Sequence, residues 1–223
     1  MTCRRRRDVC DHMSGRVSRR ALHDPGLSPD RLRARLALAF VLALAVAAAP
    51  PVAAANITID AERDGESIDI RASAVLNADA GTAWQVLTDY GRYTDFVPDL
   101  RLSRVVARRG ATVTVEQSGD AALWLFRMPL DITFEINEIP PYRLQSRAVA
   151  GSLRALTSSY ALTPAASGLR LDYVGRAAPG YALFGRIEQA VIEHNVARQF
   201  QALADEIERQ SAIVRSRAIA VVK

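Results

Sequence analysis

A change of period near residue 180 constrains this chain more than any other feature. Up to Arg176 apolar and polar residues alternate in steps of two, whereas from Tyr181 to Ile213 apolar residues recur in steps of three and four. Ile68, Ile70, Ala72, Ala74 and Leu76 alternate with Ser67, Asp69, Arg71 and Ser73, which puts the apolar set on one face of a strand. Ile132, Phe134 and Ile136 repeat the pattern, as do Trp124, Phe126 and Met128 around Arg127, and Leu169, Leu171 and Tyr173 around Arg170 and Asp172. One-sided strands of this kind belong to an antiparallel sheet with one wet face and one buried face. Turn pairs such as Asp64-Gly65, Arg109-Gly110, Ser118-Gly119, Pro140-Pro141, Gly151-Ser152 and Ser167-Gly168 separate them. The prediction is seven or eight strands drawn from segments 57–62, 67–76, 102–108, 112–118, 121–128, 131–139, 142–149, 153–163 and 168–176, the first a loose lead-in.

The segment after the strands reads as one long amphipathic helix over Tyr181–Ile213, with Phe184, Ile187, Val191, Ile192, Val196, Phe200, Leu203 and Ile207 as its apolar stripe. About 30 residues at 1.5 Å each make a helix roughly 45 Å long. Such a helix must lie across something broad, and the sheet is the only candidate. A second, shorter amphipathic run, Ala80–Thr88, leads into the aromatic stretch Tyr90–Leu100 and forms a helical elbow ahead of most of the strands. The predicted architecture is therefore α+β: a curved antiparallel sheet wrapped around a long C-terminal helix. Its concave face would be shared by that helix, the elbow and a ligand.

The first 55 residues stand apart from this domain. Arginines at 4–7, 16, 19, 20, 31, 33 and 35 run into the apolar stretch Leu36–Ala49 and then the small-residue sequence Val52-Ala53-Ala54-Ala55. That is the layout of a secretory signal peptide, with cleavage expected before Asn56. The apolar run is 14 residues, shorter than the roughly 20 that span a bilayer. Removing the leader reverses the electrostatic picture. The chain carries 29 basic against 24 acidic residues, and the leader holds 10 and 4 of them, which leaves 19 against 20. Basicity thus belongs to export and gives no reason to expect a nucleic-acid partner. Both cysteines, Cys3 and Cys10, leave with the leader, so the mature chain has no disulfide and no thiol nucleophile. The expected product is one ligand-binding domain, residues 56–213, followed by a tail, residues 214–223, and located in the periplasm or outside the cell.

Few residues look like catalysts. His194 is the single histidine of the mature chain and reads as a packed or solvated helix residue, and Ser158 and Ser159 lie in a strand without a nucleophile turn. Metal-ligand spacing and the glycine-rich cofactor loops are absent from the sequence, so neither a metal nor a cofactor is expected. Asp89, Asp95 and Glu193 could furnish an acid/base pair. Their simpler reading is that the two aspartates cap short helices while Glu193 is solvated.

The aromatic residues favour binding. Tyr90, Tyr93, Phe96, Val97, Trp124, Phe126, Phe134, Tyr160, Tyr173 and Phe184 are the candidate cavity lining. Gln117, Ser146 and Ser158 fall on inward phases and are candidate polar contacts, since an inward polar group in such a pocket needs a partner.

The stretches Val86-Leu87-Thr88-Asp89-Tyr90, Tyr93-x-x-Phe96-Val97-Pro98 and Val113-Thr114-Val115-Glu116-Gln117, with the closing helix, resemble the polyketide cyclase/dehydrase and lipid-transport family. This is the START-like, helix-grip superfamily, and the elbow is most similar to that of its coenzyme Q-binding branch. The resemblance covers about Ser67 to Arg209. It implies a carrier or binder of a hydrophobic small molecule: a lipid, a quinone or a polyketide-like compound, with transient membrane contact as a further expectation. Its alternatives are an aromatase/cyclase-type enzyme, or an interaction module that grips a partner with Tyr93, Phe96 and Val97.

Overall fold

A computed structural model describes residues 57–123, 126–179 and 186–222. The period-two segments become eight strands: β1 (Ile57–Asp64), β2 (Ser67–Leu76), β3 (Leu100–Arg109), β4 (Thr112–Leu123), β5 (Phe126–Ile139), β6 (Arg143–Gly151), β7 (Leu153–Ala165) and β8 (Gly168–Pro179). They pair antiparallel in the order β1-β2-β8-β7-β6-β5-β4-β3. Six strands therefore form a meander, and the β1–β2 hairpin docks on its last strand. The crossover from β2 to β3 carries the elbow, which is helix α1 (Ala80–Thr88) followed by a 3₁₀ turn (Tyr90–Asp95). Helix α2 (Arg186–Val222) closes the chain. The curved sheet and long helix are those expected of a helix-grip domain.

Two boundaries differ from the sequence reading. Ser118-Gly119 is no turn: β4 runs straight through it to Leu123, and β5 runs through Leu130. Gly119 instead lets another chain segment come close, because a Cβ there would lie 2.5 Å from the carbonyl oxygen of Asp99. Pro129, which marks a strand end in the sequence, pairs with Asp120 beyond the point where β6 stops pairing with β5, so one side of β5 is a free edge there. Helix α2 also passes its expected end at Ile213 and continues to Val222, with 214–221 exposed. The expected helical residues 181–185 lie outside the described residues.

The alternation delivers the predicted core. Ile68, Ile70, Ala72, Ala74 and Leu76 of β2, Val113 and Val115 of β4, and Leu169, Leu171 and Tyr173 of β8 are all buried. Phe200, Leu203, Ala204 and Ile207 of α2 pack into the same cluster. Helix α1 starts where Asp79 accepts hydrogen bonds from the Thr82 backbone N–H at 2.8 Å and the Thr82 hydroxyl at 2.7 Å. Asp89, expected as a cap, makes no side-chain cap bond, and Asp95 instead accepts from Arg92 at 3.0 Å. Both aspartates are exposed; α1 is capped by Asp79 instead, and the 3₁₀ turn has no side-chain cap.

Helix α2 is seated by its polar residues as much as by its stripe. Gln189 Nε2 donates to the Ala61 carbonyl of β1 at 2.7 Å, and Arg63 pairs with Glu188 at 2.7 Å. At the other side Asn195 accepts from the Ala122 N–H at 3.1 Å and donates to the Ala122 carbonyl at 3.0 Å. Ala122 lies past the last β3–β4 pair, so one side-chain amide serves the β4 edge as a neighbouring strand would. Arg198 reaches Asp99 at 2.6 Å, and near the far end Glu208 accepts from the Asn77 N–H at 3.0 Å. The helix thus bridges β1, β2 and β4, leaving the middle strands as the floor beneath it.

Candidate ligand-binding site

The inner face of the middle strands changes character along its length. Towards the elbow its side chains are covered: Ile136, Leu144, Leu162, Leu169 and Leu171 are buried. Tyr90, only 2 % exposed, donates to Glu138 at 3.1 Å, and Arg108 pairs with Glu138 at 2.8 Å, which closes that end. Burial, reinforced by the Glu138 carboxylate, raises the Tyr90 pKa far above its ordinary value. Away from the elbow the same strands, in the same inward phase, present Met128, Leu130, Ile132, Phe134, Ala148 and Leu156, and all of these retain accessible surface. Ile192 and Val196 of α2 are likewise half-buried against the core.

Tyr160 lies in the row of Leu144 and Tyr173, towards the elbow. Burial pushes its pKa well above the ordinary tyrosine value, yet part of its surface stays accessible. Its ring packs against Tyr173 at a centroid distance of 4.9 Å.

A polar row crosses this floor. Ser146 on β6 pairs with Ser158 on β7, which pairs with Gly175 on β8. The two serine hydroxyls are 2.6 Å apart. A Cβ on Gly175 would lie 2.5 Å from the Tyr173 hydroxyl, so that hydroxyl occupies the room the glycine leaves, directly across from Ser158. Burial pushes the Tyr173 pKa up to about 12, and its hydrogen bond with Ser158 partly offsets the rise. Gln117 is also inward and donates to the buried Ser103 at 3.2 Å.

The remaining predicted lining residues divide among several places. Tyr93 is half-buried, with its ring 5.5 Å from Phe96 and its hydroxyl donating to the Leu87 carbonyl at 2.7 Å. Phe96 and Pro98 border a groove of about 610 Å³ with Ala197, Gln201 and Ala202, between the elbow and helix α2. Val97 is buried in the elbow itself. Trp124 and Phe184 lie outside the described residues, and Phe126 is described only as the first residue of β5. Of the acid/base candidates, His194, Asp89 and Asp95 are exposed and Glu193 is half-buried. Sequence reading missed Gly175. Its signal was a glycine in the inward phase Tyr173-x-Gly175-x-Ala177 of an otherwise apolar strand face.

The sequence profile of a family described as polyketide cyclase / dehydrase and lipid transport matches residues 67–212. Among curated proteins none matches the chain in sequence. Solved structures match its fold. A STAR-related lipid transfer protein of Xanthomonas axonopodis superposes with a TM-score of 0.58 at 14% identity, covering 71% of this chain and 96% of that one. The Zhui aromatase/cyclase of Streptomyces sp. R1128 superposes with a TM-score of 0.54 at 14% identity, covering 70% and 96%. A START superfamily protein of Mycobacterium smegmatis gives a TM-score of 0.53 at 10% identity, covering 69% and 97%.

Proposed function

The chain belongs to the polyketide cyclase/dehydrase and lipid transport family, and from that premise we propose that it binds and carries a hydrophobic small molecule, a lipid, quinone or polyketide-like compound, between its sheet and helix α2. The observation that carries this reading is the inner face beyond the polar row, where Ile132, Phe134 and Leu156 keep accessible surface. Apolar surface left in such a place is a standing source of binding free energy, at about 25 cal/mol per Å² removed from water. The solved structures of similar fold include both a lipid transfer protein and an aromatase/cyclase, and at 14% identity they support the fold and not a choice of ligand.

We propose further that the protein works outside the cytoplasm, released from its leader before Asn56, which the layout of residues 4–55 supports. Both readings are tested on protein purified from the membranes of its own host. Native mass spectrometry should give a mass beginning at Asn56 together with a bound compound that organic extraction removes. Protein free of any extractable compound, with no uptake of added apolar probes, would count against the carrier reading. A mass that retains the leader would count against the export reading alone.

A further inference from the structure

The uncovered floor is not uniformly apolar, and its one polar row has a definite place. Read across the sheet, Ile70, Gly175, Ser158, Ser146, Ile136 and Val113 form a single line of register partners from β2 to β4. The outer members Ile70, Ile136 and Val113 are buried and apolar. Only the middle three are glycine or serine, and the Tyr173 hydroxyl leans into the gap over the glycine.

A hydroxyl donates one hydrogen bond and can accept two. The Ser146–Ser158 hydrogen bond uses one of the three O–H hydrogens in this group, whichever atom donates. Two donors and several lone pairs remain, in a setting where unmade hydrogen bonds are costly. The Tyr160 hydroxyl, on the neighbouring pair of the same two strands, adds a fourth, with no hydrogen bond to any described residue.

Charge decides which ligand atom can meet them. Among the described residues, no side chain in the inward phase of β2 or of β4–β8 is basic. Arg108, the β3 partner of Val113 in this row, is engaged by Glu138, Arg63 on β1 by Glu188 and Arg198 of α2 by Asp99. Arg71 and Arg176, which border a hollow with the serines and Gly175, belong to the opposite phase of their strands. The half-buried side chain next to Ile192 on α2 is an acidic one, Glu193. A carboxylate or phosphate brought to this row would be desolvated without a counter-charge, which costs several kcal/mol. A neutral hydroxyl or carbonyl would exchange water for the hydroxyl row at little cost.

We infer that Ser146, Ser158 and Tyr173, with Gly175 clearing the space, form the subsite for the polar end of the ligand, and that this end is an uncharged oxygen, a hydroxyl or carbonyl. The inference rests on the carrier reading above and adds the chemistry of the ligand's head. Three probes of one size separate the two: naphthol, methylnaphthalene and naphthoate, bound to the full chain at neutral pH and followed by equilibrium dialysis. Naphthol should bind about tenfold tighter than methylnaphthalene, the gain of one hydrogen bond made in a dry site, and naphthoate should bind weakest. Ser158→Ala should abolish the preference for naphthol and leave methylnaphthalene binding unchanged. Tyr173→Phe, which keeps the ring against Tyr160 and removes only the hydroxyl, should reduce the same preference and carries the test if Ser158→Ala does not fold. Equal binding of naphthol and methylnaphthalene, tightest binding of naphthoate, or a preference that survives both variants would overturn the subsite while leaving the carrier reading intact. Failure of all three probes to bind would overturn both.

Discussion

The inner face of one sheet is two different surfaces. At the elbow end, Leu144, Leu162 and Leu171 are covered by α1, the 3₁₀ turn and the lower part of α2, and the Tyr90–Glu138–Arg108 contacts finish the seal. At the other end Phe134 and Leu156, on strands that continue without a break from the first region, stay partly uncovered. Both ends have the same alternation, so the strands do not create the difference. What differs is reach. Helix α1 is nine residues long and packs towards β7 and α2 at one end only, while α2 spans the floor by resting on β1, β2 and β4. Stability therefore belongs to the covered end and ligand capacity to the uncovered end, an assignment that substitutions can break.

The largest effect is expected at the covered end. Leu171 has no accessible surface, and Leu171→Ala should lower stability in urea unfolding by about 3–5 kcal/mol, the transfer loss plus the cavity left behind. Molecules that remain folded should bind methylnaphthalene with unchanged affinity. A parallel loss of affinity would show that the two ends respond as one packed unit.

The converse substitution sharpens the contrast. Phe134 is half-buried on the uncovered floor, so Phe134→Ala should cost stability only about 1–2 kcal/mol, because less of the ring is withdrawn from water and less of a cavity forms. Methylnaphthalene affinity measured by dialysis should fall about tenfold, since the ring is the wall a ligand would touch. Equal losses in both quantities at Phe134 would make it ordinary core and remove the distinction on which the carrier reading depends.

How much of this could be read from the sequence follows the same division. Period two identified the inward phase, and Ile68, Leu171, Ser146 and Ser158 all lie on the faces expected, because the pleat fixes alternation locally. The period cannot say what stands above a face. Phe134 and Ile136 look equivalent in sequence, yet one keeps accessible surface and the other is buried, since cover is supplied by a helix many residues away. Ser118-Gly119 misled for a related reason. Glycine signals either a turn or a close approach, and only the position of Asp99 distinguishes them. Asn195 and Gln189 carried no signal at all, because an amide on a helix is ordinary until a free strand edge lies opposite it.

The smallest effect concerns the first turn of α1, at the covered end. The backbone N–H and hydroxyl of Thr82 hold the Asp79 carboxylate below its ordinary pKa. A carboxylate with a depressed folded pKa stabilises the fold above its unfolded pKa of about 3.9, and that contribution is lost as the pH falls through the folded value. Asp79→Asn keeps an acceptor at the cap but removes the charge that faces the helix N-terminus, so at neutral pH it should cost about 0.5 kcal/mol. Urea unfolding near pH 3 should show the gap between the two proteins narrowing, because below about pH 3.9 the unfolded carboxyl takes up a proton ahead of the native one. An unchanged gap would mean that geometry, not charge, makes the cap. Because α1 roofs only the covered end, naphthol binding should be the same in both proteins; a shift in its affinity would show that the elbow's seating sets the shape of the uncovered floor and that the two ends are mechanically coupled.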